Sequence, residues 1–180
     1  MTPMRSSVEA TPSPADAGRP ASLQFLTIQL DHEVFVLEVA RVREILDFPP
    51  ITKIPRTPDF LRGVVNIRGS VVPVVDLKQK FGLGQTEKTI NTCIVVVEVT
   101  LEGETAVVGV LADACHDVIE VESNRIEPPP KLGTRLNIQF LKGVVKLGET
   151  FGLYLDLDRL FSPEELALVL EETDGQPTAR

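Results

Sequence analysis

Tryptophan is absent from this chain, and tyrosine occurs once among its 180 residues. A core must therefore be built mostly from valine, leucine and isoleucine. Positive charge is scarce: 18 Lys and Arg stand against 26 Asp and Glu, a net charge of −8. That balance argues against nucleic acid or an anionic membrane surface as partner. No run of Lys and Arg with interleaved aromatics offsets it. No apolar run reaches transmembrane length. The start, Met1-Thr2-Pro3-Met4-Arg5, lacks the apolar centre of a secretory signal. Two cysteines, Cys93 and Cys115, are too few for a disulfide framework or a zinc site. A soluble protein in a reducing cytoplasm is the simplest reading. No metal-ligand spacing, phosphate-cradling glycine loop or nucleophile elbow occurs, so no cofactor or metal is expected.

A duplicated stretch is present. Phe60-Leu61-Arg62-Gly63-Val64-Val65 opens a segment that runs to Asp76-Leu77 and Phe81. Phe140-Leu141-Lys142-Gly143-Val144-Val145 opens another, running to Asp156-Leu157 and Phe161. The offset of 80, from Phe60 to Phe140, holds without a gap. Two copies at so long a period indicate paired subdomains rather than a solenoid. Each copy reads as a strand, a tight glycine turn and a returning strand. Asp76 or Asp156 then caps a short helical turn. Leu77 with Phe81, and Leu157 with Phe161, share a helical face.

Elsewhere, residues 1–21 are rich in Pro, Ala, Ser and Thr and read as a disordered tail. Leu23–Leu30 and Glu33–Val39 form a hairpin around Asp31-His32. Asp47–Pro58 is a proline-broken connection in which Ile51–Ile54 reads as a short strand. Gly82–Lys88 reads as a linker. The second half starts over: Ile90–Val99 and Thr105–Leu111 form a hairpin, with Val95–Val97 buried on both faces. Gly109 marks a bulge or a close backbone approach. His116-Asp117-Val118 stands where Arg43-Glu44-Ile45 stands in the first half. Ser162-Pro163-Glu164-Glu165 is a capping box opening a C-terminal helix with Leu166, Val169 and Leu170 on one face. Residues 172–180 form a polar tail.

The segment Gly63-Val64-Val65-Asn66-Ile67-Arg68-Gly69-Ser70-Val71-Val72-Pro73-Val74-Val75-Asp76-Leu77 resembles the CheW family of chemotaxis coupling proteins. Val42-Arg43-Glu44-Ile45, Ile54-Pro55-Arg56-Thr57-Pro58, Asp117-Val118 and Ile126-Glu127-Pro128 extend the resemblance in family order. The strand count already suggests small barrels. The resemblance implies a mainly β fold of two pseudo-symmetric five-stranded SH3-like barrels side by side, with short helices and a C-terminal helix. The expected division is one CheW-like domain over 22–171, with the first barrel at about 22–84 and the second at about 85–171.

The resemblance further implies a non-enzymatic, cytoplasmic adaptor that joins chemoreceptor cytoplasmic tips to the CheA histidine kinase. The receptor tip is a helical hairpin, which suits an apolar groove between the barrels. Its site would take Val42, Glu44 and Arg68 from the first half and Cys115 and Val118 from the second. The kinase would meet Arg62, Gly63 and Val71. Ordinary core explains Val42 and Val118 equally well, and an internal Glu44–Arg68 pair would make those two residues architectural. One catalytic alternative remains: Asp76 and Asp156 as a carboxylate dyad across the pseudo-symmetry axis of a hydrolase. Capping accounts for both aspartates without it.

Overall fold

The computed structural model describes residues 21–101, 103–129, 138–165 and 167–168. Residues 1–20 of the tail expected over 1–21, the tail over 172–180, and the apolar stripe Leu166, Val169 and Leu170 lie outside the described residues.

Two hairpins frame the fold. Strands β1 (Ser22–Leu30) and β2 (Glu33–Glu38) pair around Asp31-His32, with Asp31 in the left-handed region at φ 59°. Strands β6 (Cys93–Leu101) and β7 (Glu104–Ala112) pair through the length of both. The expected start of β6 at Ile90 is three residues early. Thr89 and Thr92 close a hydrogen-bonded turn there, and Ile90 stands 99% exposed.

Each hairpin is followed by an edge strand and a copy of the repeat. The first half gives β3 (Val42–Asp47), β4 (Leu61–Ile67), β5 (Ser70–Asp76) and helix α1 (Leu77–Lys80). The second gives β8 (Ala114–Glu122), the short β9 (Ile126–Glu127), β10 (Leu141–Leu147), β11 (Thr150–Leu155) and a 3-10 turn at Leu157–Arg159. The two copies share one register. Ile67 pairs with Ser70 and Leu147 with Thr150, and both ladders break at the same place, between Leu61 and Gly63 and between Leu141 and Gly143.

The sheets do not follow the halves. One sheet runs β8-β1-β2-β11-β10-β9 and the other β3-β6-β7-β5-β4. The division at residues 84 and 85 is therefore corrected: each sheet joins the hairpin of one half to the later strands of the other. The exchange is made by parallel pairs, β5 with β7 and β11 with β2. A parallel pair needs a long crossover rather than a tight turn, so local hairpin signals say nothing of which sheet a hairpin enters.

Three apolar clusters result. The β3-β6-β7-β5-β4 sheet curls over Val65, Val72, Val74, Ile94, Val96 and Leu111. The other encloses Phe25, Val36, Val121, Val145 and Tyr154. Between them lies the largest cluster, fed by Leu26, Ile28 and Leu30 from one sheet and Val95, Val97 and Val99 from the other. Strand β6 thus sends alternate residues into two cores, as its unbroken apolar run implies. The phenylalanines that open and close each copy seal the pseudo-dyad: Phe60 meets Phe161 at 6.1 Å between centroids, and Phe140 meets Phe81 at 5.1 Å.

The conserved spacing of glycine in both copies has a packing cause. A Cβ on Gly63 would stand 2.2 Å from the Thr52 carbonyl oxygen, and one on Gly143 would stand 2.5 Å from that of Glu127. Thr52 bridges to Val64 as Glu127 pairs with Val144, so a crossing strand presses on the same point in each half. Gly109 is a close approach and not a bulge: the β6–β7 register is continuous, and an added Cβ would meet Ile94 Cγ2 at 2.8 Å.

The capping box forms as expected. Glu165 N donates to Ser162 Oγ, and Ser162 N donates to Glu165 Oε1, both at 3.0 Å.

Candidate partner-docking site

Strands β3 and β8 each form one edge of a sheet, with β4 and β9 at the opposite edges. Both carry a one-residue bulge, at Arg43 in β3 and opposite Thr27 in β8. The Thr27 hydroxyl donates to the Asp117 carbonyl at the second bulge. Bulges and charges blunt an edge against uncontrolled strand pairing.

Cross-strand partners share a sheet face, which fixes where the edge side chains point. Val42 lies opposite Val97 and Ile45 opposite Val95. Cys115 lies opposite Ile28 and Val118 opposite Leu26. All four partners belong to the central core. The inward faces of both edge strands therefore continue that core to the surface. Val42 and Cys115 pack at its margin, while Ile45 and Val118 are 46% and 55% exposed. Unpartnered apolar side chains flanking a core are a docking surface in form.

Glu44 and Arg68 stand on the other face of β3. Glu44 pairs opposite Val96 of the smaller core. Arg68 reaches it with both terminal nitrogens, Nη1 to Oε2 at 2.7 Å and Nη2 to Oε1 at 3.1 Å. This pair raises the Arg68 pKa above its ordinary value, the hydrogen bond to Glu44 being the larger cause. Arg68 is 77% exposed and sits at the hairpin tip with φ 53°, followed by Gly69 at φ 88°. Two successive positive φ values make a type I′ turn, and a non-glycine residue held there is strained. Gly69 N donates to Asn66 Oδ1 at 2.9 Å, closing the turn. The pair borders an open groove of about 440 Å3, with Val71, Val72, Pro73, Val96 and Val107 beside it.

The expected site residues are thus divided. Val42, Cys115 and Val118 share the inter-sheet face. Glu44, Arg68 and Val71 share the mouth of one curled sheet. Arg62 and Gly63 have internal duties. Arg62 Nη1 donates to Asp76 Oδ2 at 2.9 Å and to the Thr86 carbonyl at 3.0 Å. Gly63 makes room for Thr52.

Cys93 and Cys115, too few for a disulfide framework, are nevertheless bonded to each other. The bond ties β8 of one sheet to β6 of the other. Sequence counting fails here because two cysteines 22 residues apart become neighbours only through the exchange of hairpins.

Asp76 is fully buried and saturated. Its carboxylate also accepts from Thr86 N at 2.9 Å, Thr86 Oγ1 at 2.7 Å and, as helix cap, Gln79 N at 3.4 Å. Asp156 caps the equivalent turn through Asp158 N at 3.2 Å. These partners supply pairing and capping roles for both carboxylates. Thr86 belongs to the stretch expected to be a linker, yet it is 1% exposed.

Ile45 and Thr86 are the residues that sequence reasoning missed. The alternation of Val42-Arg43-Glu44-Ile45 held a signal for the first, since apolar residues three apart on a bulged strand share a face. Thr86 had none, as its role depends on Asp76 being buried beside it.

Comparison with known proteins agrees with this architecture. The CheW-like domain family matches residues 24–165. The chain is 35% identical over 153 residues to the chemotaxis protein CheW of Klebsiella aerogenes, covering 85% of this chain and 90% of that protein. It is 30% identical over 142 residues to a probable chemotaxis protein CheW of Rhizobium etli, covering 79% and 89%. The scaffolding protein TtCheW of Thermoanaerobacter tengcongensis superposes with a TM-score of 0.72 at 34% identity, covering 83% of this chain and 94% of that one. The two curled sheets are its paired SH3-like barrels, and this chain belongs to the CheW family of chemotaxis proteins.

Proposed function

We propose that this chain is a non-enzymatic scaffold that couples the cytoplasmic tips of chemoreceptors to a CheA-type histidine kinase. The observation that carries the reading is the inter-sheet face, where two edge strands extend the central core and leave Ile45 and Val118 in solvent. An amphipathic helix from a receptor hairpin fits such a face by laying apolar residues along it. The Glu44–Arg68 pair, across β3, supplies charged groups that a partner can engage by displacing one member of the pair. The kinase regulatory domain docks around Val71, with Arg62 and Gly63 shaping the strand beneath. No helix among the described residues is long and apolar enough to cross a membrane. The protein works in the cytoplasm and reaches the membrane through its receptor.

The test is capture by a receptor cytoplasmic fragment and by the kinase regulatory domain, singly and together. The wild-type chain is retained by each and forms the three-part complex. Val118→Glu abolishes retention on the receptor fragment and leaves retention on the kinase. Loss of neither, or of both together, removes the inter-sheet face as the receptor site.

A further inference from the structure

The Cys93–Cys115 bond has no part in the proposed scaffold role, yet it is built into the docking face. Cys115 lies on edge strand β8, between the partly exposed Val118 and the core residue Ile28 opposite it. Cys93 lies on β6, with Asp47 of β3 as one cross-strand partner. The bond is therefore the covalent link between the two walls of the inter-sheet face. The cysteines differ in access: Cys93 is 6% exposed, whereas Cys115 is half-buried at the free edge. Their Cα atoms are 6.7 Å apart, a span that a disulfide bridges without movement of the chain. A chain that works among cytoplasmic thiols would meet conditions under which such a bond opens.

We propose that Cys93 and Cys115 form a thiol–disulfide site that takes low-molecular-weight disulfides as oxidant and sets the spacing of the receptor-docking walls. The chemistry is two exchange steps. The Cys115 thiolate attacks one sulfur of a small disulfide RSSR, forming a mixed disulfide and releasing RS−. The Cys93 thiolate then attacks the Cys115 sulfur, forming the protein disulfide and releasing the second RS−. Two protein thiols are oxidised, one small disulfide is reduced to two thiols, and the two protons the cysteines lose are taken up by the two released RS−. Closed, the bond holds the walls in one geometry. Open, β8 and β6 are joined only by packing. Pre-organisation favours binding by the closed form. The binding half of this inference rests on the receptor site proposed above; the exchange half does not.

The full chain is equilibrated in mixtures of reduced and oxidised glutathione, and its free thiols are counted by alkylation and mass. The expected result is reversible passage between no alkylation and two. Cys93→Ser accumulates a glutathione adduct on Cys115, and Cys115→Ser leaves Cys93 unmodified. A bond that resists reduced glutathione in the folded chain, or adduct formation chiefly on Cys93, overturns the exchange site. Binding of the receptor fragment is then measured for both forms. The oxidised form is expected to bind about fivefold or more tightly than the reduced form. A Cys93→Ala, Cys115→Ala variant is expected to bind alike in both buffers. Equal binding by the two forms, or tighter binding when reduced, overturns the switch. If neither form binds while exchange proceeds as expected, the receptor site has failed and the exchange site stands.

Discussion

The two copies of the repeat differ where they touch polar partners and agree where they touch apolar ones. Phe60, Leu61, Gly63, Val64 and Val65 recur as Phe140, Leu141, Gly143, Val144 and Val145, and from the leucine onward they lie in matching ladders. Asp76 N and Asp156 N donate to the carbonyls of Phe60 and Phe140 at 2.7 and 2.8 Å. The polar positions have diverged. Arg62 pairs with Asp76, whereas Lys142 turns to Glu38 at 3.3 Å, the carboxylate that also accepts from the Tyr154 hydroxyl. Burial and Glu38 together push the Tyr154 phenol far above its ordinary pKa. The position held by Lys78 in one copy is Asp158 in the other. Lys78 pairs with Asp113 at 3.2 Å, and Asp158 with Arg41 through two bonds of 2.9 and 2.5 Å. One junction thus carries opposite polarity in the two halves. Where glycine falls in the turn also decides its type: Arg68-Gly69 has two positive φ values, whereas in Gly148-Glu149 only Gly148 does. Backbone and core demand the same residues twice, and charge pairs need only to be satisfied locally.

That comparison can be broken most directly at the glycines. Gly63→Ala is expected to destabilise by about 4 kcal/mol, because its Cβ meets backbone and its φ is +147°. Gly143→Ala meets backbone as well but without the left-handed φ, and is expected to cost about 2–3 kcal/mol. Urea unfolding of both variants checks the order; a larger loss at Gly143 would refute the packing account.

Next come the caps. Asp76→Ala strands Arg62 and two donors of Thr86, at about 3 kcal/mol. Asp156→Ala loses a cap that is only partly buried, at about 1 kcal/mol. Equal losses in thermal unfolding would show that burial does not separate the two aspartates.

The inverted junction predicts a difference in acid. Burial pushes the Asp158 carboxyl up, but hydrogen bonds from Arg41 and Thr100 N outweigh it and hold the carboxyl below its ordinary 3.8. The unfolded chain then takes up the proton first. The stabilisation is complete above about pH 4 and is lost as pH falls through the lower folded value. Asp158→Asn should therefore flatten the loss of stability below pH 4. Solvent screening limits the effect to under about 1 kcal/mol.

The smallest expected effect on folding is at Arg68. Arg68→Ala removes an exposed pair and relieves nothing buried, so its thermal midpoint should stay near that of the wild type. Capture by the receptor fragment should fall about tenfold or more if the guanidinium is a central contact. A double-mutant cycle with Glu44→Ala separates binding from internal pairing. Strong coupling in stability, with capture unchanged, would make the pair architectural.

The sequence by itself determined the duplication, the strand-turn-strand-cap form of each copy and the two-core burial of β6. It also determined the capping box at Ser162, since these rest on periodicity, turn chemistry and caps within a few residues. Only the tertiary structure decided which sheet receives each hairpin, because parallel pairing between β5 and β7 or β11 and β2 has no local signal. From that exchange follow the bond between Cys93 and Cys115, the burial of Thr86 against Asp76, and the separation of Val42 from Glu44 across one bulged strand. Each joins residues whose meeting depends on long-range packing, and a residue's exposure, as at Ile45 and Val118, is settled only when its neighbours are in place.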